Sequence, residues 1–153
     1  MNLNDLVSTG ARNDCVPAAL ALLTGEPAAV WLNRIRGYDG RACTAHRGVS
    51  SFTYVRVLTD AGFNVETLRF ARGTQIHVLL SKLKGARALV VVRTRGRETH
   101  AIAAHGFMVA DNARPRYQWY GDWLYTWTCA GFENPRVRRQ AQCAYIITRR
   151  ISQ

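Results

Sequence analysis

Asn13–Gly25, NDCVPAALALLTG, carries the strongest structural signal in the chain. Asp14 is a good N-cap, Pro17 is tolerated in a first turn, and Gly25 supplies a stop. The spacing predicts a helix over residues 14–24. That helix is apolar on nearly every face, so it is expected to be buried rather than to lie on the surface. Cys15 stands in its first turn. A thiol placed there feels the positive end of the helix macrodipole, which favours the thiolate. The same helix start offers backbone N–H groups without intrahelical partners, able to hold a developing oxyanion. A cysteine nucleophile needs both.

A second motif follows at residues 99–112, THAIAAHGFMVADN. His100 opens a strand-like run, HAIAA, just after the polar turn around Gly96. A second run, FMVA, follows, and His105–Gly106 reads as the hairpin loop between them. With the turn there, the strand ends at 100 and 111 come together. The Asp111 carboxylate can then accept a hydrogen bond from one ring nitrogen of His100 and aim the other at a thiol, the orienting logic of a triad.

Outward from these motifs the elements fall in order. A second helix is expected from Pro27 to Gly37, then a glycine-rich loop to Gly48. A third helix fits SSFTYVRVLTDA, capped by serine and closed by Gly62. Phe63–Phe70 alternates like a strand, Thr74 is a candidate cap for a helix over QIHVLLSKLK, and Ala88–Val92 is the clearest strand. The run after Asp111 is dense in aromatics. Trp119, Trp123, Tyr125 and Trp127 alternate as on one face of a sheet, which points to core packing, with a stacking platform as the alternative. CAYIIT near the end is a final strand. Helices come first and a mostly antiparallel sheet after them, an α+β pattern within one domain spanning 1–153.

The two motifs resemble the nucleophile segment and the histidine strand of papain-like cysteine peptidases. The likeness is greatest to the compact branch that includes the bacteriocin-leader-processing peptidases, and it covers roughly residues 12–112 in element order. It implies Cys15 as nucleophile, His100 as general base and then acid, and Asp111 as the orienting residue, with Asn112 as a possible substitute. Such enzymes commonly carry an oxyanion-donating glutamine shortly before the cysteine. Here no glutamine precedes Gln75, and Asn13 is the candidate donor in its place, beside the Cys15 backbone N–H. The resemblance implies a peptidase or isopeptidase that works by acyl transfer through a thioester on a protein or peptide substrate, with no cofactor and no metal. Glutamine deamidation or transglutamination on the same fold is the alternative reaction.

The net charge is +11, carried by 19 Arg and only 2 Lys. Such a charge allows a polyanion or nucleic-acid contact through arginines, and a non-enzymatic basic binding protein is the competing reading. The arginines are scattered, with the densest groups at Arg93/Arg95/Arg97, Arg136/Arg138/Arg139 and Arg149/Arg150. Cys15, Cys43, Cys129 and Cys143 include no CxxC pair and are expected as free thiols. No apolar run approaches the roughly 20 residues of a membrane span, and no signal-peptide pattern opens the chain, so a cytoplasmic location is expected. His46 and His105 are alternative bases. His77 falls within a helix and is expected to be structural.

Overall fold

The computed structural model describes residues 2–45, 47–71, 73–93, 99–129 and 141–149. Among them the elements are α1 (Leu3–Val7), α2 (Cys15–Thr24), α3 (Ala28–Tyr38), α4 (Ser51–Asp60), β1 (Phe63–Arg69), α5 (Ile76–Lys82), β2 (Arg87–Arg93), β3 (Thr99–His105), β4 (Met108–Ala110), β5 (Gln118–Trp119), α6 (Tyr120–Cys129) and β6 (Ala141–Arg149). The class is α+β, as the element order implies. The strands form one sheet in the order β1-β6-β2-β3-β4-β5, and every neighbouring pair is antiparallel. The last of these strands in sequence thus inserts between β1 and β2.

The buried helix is α2. It ends on Gly25, whose φ of 81° is a left-handed conformation that glycine adopts without a Cβ penalty, and the Gly25 N–H donates to the Ala21 carbonyl. Seven of its ten residues are buried, so almost no face is left for solvent. Ala19 of α2 and Ala101 and Ala103 of β3 share one core. Small residues on both partners let the two backbones approach closely, and that approach brings the start of α2 to the start of β3.

Strands β2 and β3 are covered on both faces, which is why ALVVV shows no polar alternation. Leu89, Val91, Ala101 and Ala103 join the core beneath α2, α3 and α4. Val90, Val92, Ile102 and Ala104 join a second core with Leu79 and Leu80 of α5 and Trp123 of α6. Among the described residues no helix is long and apolar enough to cross a membrane.

Several local expectations need correction. Asp14 occupies the N-cap position of α2, but its side chain makes no capping bond there. Thr74 does not cap α5: its hydroxyl donates back to the Ala71 carbonyl, Gln75 holds the cap position, and the helix closes at Lys82. The hairpin turn is Gly106–Phe107, not His105–Gly106, since His105 still pairs with Met108. Gly106, at φ 60°, supplies the left-handed first position that a tight hairpin turn requires. The aromatic run is mostly helix rather than one face of a sheet. Only Gln118–Trp119 is strand, and α6 starts at Tyr120. Helix α1 is an addition, capped by the Asn2 side chain, which accepts from the Asp5 N–H. The expected turn around Gly96, His46, Arg95, Arg97, Arg136, Arg138, Arg139 and Arg150 lie outside the described residues, as do the side chains of Arg93, Tyr125, Trp127 and Cys129.

Candidate active site

Cys15, His100 and Asp111 come together where the start of α2 meets the rim of the sheet. His100 Nε2 lies 3.0 Å from Asp111 Oδ2. The Cys15 thiol is hydrogen-bonded to the same imidazole, which leaves Nδ1 as the ring atom facing sulfur. The Cys15 sulfur also accepts from the Ala101 backbone N–H. The one-residue displacement of the turn does not separate the pair. It moves each facing partner along β3 by two residues, and side chains alternate with period two, so His100 and Asp111 keep the same parity. They meet on the diagonal instead of directly opposite.

The electrostatics follow from burial working against pairing. Burial presses Cys15 toward its neutral form, yet the His100 hydrogen bond and charge, with the Ala101 N–H, outweigh it and hold the thiol pKa below its ordinary 9.0. Burial likewise opposes the imidazolium, but the Asp111 and Cys15 partners lift His100 to about 9. Burial opposes the Asp111 carboxylate too. His100 first, then the Arg114 backbone N–H and Trp123, overcome it and hold Asp111 below its ordinary value. Each shift favours the same state, a thiolate beside an imidazolium.

Asp111 is 3% exposed and accepts hydrogen bonds on both oxygens. Its Oδ1 accepts from the backbone N–H groups of Ala113, at 3.1 Å, and Arg114, at 2.7 Å. Its Oδ2 accepts from Trp123 Nε1 at 3.2 Å as well as facing His100. The sequence does not single out Trp123 as a site residue. Its N–H donor is the signal, but strand-like spacing hides the helix that aims it. Asn112, expected as a possible substitute for Asp111, turns elsewhere: its Nδ2 donates to Asp14 Oδ1 at 3.2 Å. The Thr9 hydroxyl donates to Asp14 Oδ2 at 2.6 Å. Asp14 thus ties the segment before the cysteine to the loop after β4.

Asn13 sits at φ 50°, and its side-chain amide donates to the Thr44 carbonyl at 2.7 Å. Pro17, third residue of α2, has no N–H, so the Cys15 and Val16 amides are the donors at this helix start that lack intrahelical acceptors. Asn13, Cys15 and Val16 line an open groove of about 810 Å³. Of the other candidates, His105 is the exposed end of β3 and His77 is exposed on α5. Cys43 and Cys143 are buried free thiols. Burial first, then the charges of Asp14 and Cys15, pushes Cys43 up to about 11. Among the described residues no cluster of three histidine, cysteine or carboxylate side chains could hold a metal ion.

No protein-family model and no curated protein matches the chain. Among solved structures it is similar to the peptidase domain of Streptococcus ComA, a bifunctional ABC transporter involved in a quorum-sensing pathway. The TM-score is 0.51 at 13% sequence identity, covering 90% of this chain and 93% of that one. At this identity the likeness is one of fold. The chain has the α+β fold of a compact papain-like peptidase, the architecture its two motifs resemble.

Proposed function

We propose that the protein is a cysteine peptidase that cleaves a peptide bond through a thioester on Cys15. The hydrogen-bonded row of Cys15, His100 and Asp111, whose cysteine lines an open groove, carries this reading. Neither polyanion binding nor core packing calls for a thiol with a depressed pKa beside a carboxylate-held imidazole. The Cys15 thiolate attacks the scissile carbonyl carbon. The resulting oxyanion is held by the Cys15 backbone N–H and by the second amide hydrogen of Asn13, the first being committed to Thr44. His100 gives its Nδ1 proton to the leaving amine, then takes one from the water that releases the acyl group. Asp111 fixes the ring and stabilises its charged form.

The test is turnover of a peptide library by purified, folded variants. Cys15→Ala is expected to abolish cleavage, His100→Ala to fall nearly as far, and the double variant to be scarcely worse than either, because the pair acts as a unit. Substantial cleavage by Cys15→Ala would refute the mechanism.

A further inference from the structure

The groove beside Cys15 has a floor built from one lateral row of the sheet. Arg69 of β1 pairs with Cys143 of β6, Cys143 with Val91 of β2, and Val91 with Ala101 of β3. All four line the groove, and the row ends at the residue whose backbone N–H holds the Cys15 sulfur. Arg69 marks the far end. It is exposed, and among the described residues no carboxylate stands within ion-pair distance of it. The other arginine of the lining, Arg47, is already tied to Asp39. Among the described residues no aspartate or glutamate lines the groove. Among the described residues this concave site thus carries a cation without a counter-charge, on the path leading away from the nucleophile, and such a charge favours an anionic ligand group.

We propose, resting on the peptidase reading above, that the groove selects peptides with an acidic side chain near the scissile bond, and that Arg69 is the specificity-determining partner. Three strand spacings of about 4.8 Å place the Arg69 and Ala101 backbones roughly 14 Å apart, a span that an extended peptide covers in about four residues. The Arg69 stem is long enough to reach over part of that span, so the acidic residue belongs roughly two to four positions from the cleaved bond. A carboxylate meets the guanidinium fork with two parallel N–H bonds, which an amide of the same shape does not reproduce.

The experiment digests a proteome-derived peptide library with the full chain and with Arg69→Glu, and reads cleavage sites by mass spectrometry. Melting curves confirm that this surface substitution leaves the fold intact. Aspartate and glutamate are expected to be enriched at one of those positions for the native chain, and lysine and arginine for Arg69→Glu. For a matched pair of cleaved peptides, Glu→Gln at that position is expected to lower kcat/KM about five- to tenfold at low salt, an effect that shrinks as salt rises. Cleavage without acidic enrichment, or with the same enrichment in Arg69→Glu, overturns the proposal and leaves the peptidase reading standing. If nothing is cleaved, that reading fails instead. Fluorescence anisotropy on Cys15→Ala with synthetic extended peptides that differ only by Glu or Gln at one position then decides the groove: equal binding of the Glu and Gln forms overturns it, and a preference lost in the Cys15→Ala/Arg69→Glu double variant supports it.

Discussion

Asp111→Asn is the substitution that separates orientation from packing most sharply. The carboxylate accepts on both oxygens: Oδ1 from two backbone N–H groups, Oδ2 from Trp123 and His100. An asparagine keeps one acceptor. With that oxygen on the Ala113 and Arg114 amides, its NH₂ faces the indole N–H, donor against donor, and the hydrogen bond lost there costs about 1–3 kcal/mol. For a chain of this size each kcal/mol lowers the melting temperature by about 2–4 °C, so a loss of several degrees is expected. The chemical effect is larger. The NH₂ can only donate to His100 Nε2, which moves the ring proton to Nδ1 and removes the charge that stabilises the imidazolium. The raised pKa of His100, about 9 in the native protein, falls. Cys15 then meets the opposition of burial with less support from its partner, and its pKa rises. Once the thiol titrates above neutrality, each further unit removes about nine-tenths of the thiolate at pH 7. Iodoacetamide labelling of Cys15 across pH 5–10, read by mass spectrometry, measures it. The variant is expected to label at least about tenfold more slowly at pH 7 and to converge on the native rate in alkali. A superimposable pH profile in a folded variant would show that Asp111 does not control the thiol.

Three further outcomes are expected. Cys15 labels first of the described thiols near neutral pH, because Cys43 is buried and raised to about 11 and Cys143 is buried; faster labelling of either would remove the activated-thiolate claim. Peptide turnover rises with pH through a value below the ordinary thiol 9.0, and falls above about 9, where His100 loses the proton it must give the leaving amine; a profile still climbing at pH 10 contradicts the role of His100. Trp123→Phe keeps a ring in the second core but deletes the donor to Asp111, so it is expected to cost about 1–3 kcal/mol in chemical denaturation and to slow Cys15 labelling a few-fold; equal loss of stability with unchanged labelling would make Trp123 purely a packing residue.

Much of this is legible in the chain because it is written in short-range physics. A run apolar on every side from Val16 to Leu23, stopped by glycine, specifies a buried helix wherever it lands, and Cys15 at its first turn follows from counting. The two-residue period of β3 and β4 places His100 and Asp111 on one parity even with the turn off by a residue, since a turn shift moves partners by two. What spacing cannot decide is where donors of one element find acceptors of another. Trp123 at Asp111, Asn112 at Asp14, and Asn13 at Thr44 are contacts set by the docking of α6, the β4 loop and the segment before α4. The aromatic run misleads for the same reason: Trp119 and Trp123 fit a period of two as well as helical spacing, and only the second core beneath α6 arbitrates. The row from Arg69 to Ala101 joins residues on four strands, and its order depends on β6 inserting between β1 and β2. Local pattern determined which residues could react. The three-dimensional pairing of distant strands decided what surrounds them, because hydrogen-bond partners and groove walls come from segments with no fixed separation in sequence.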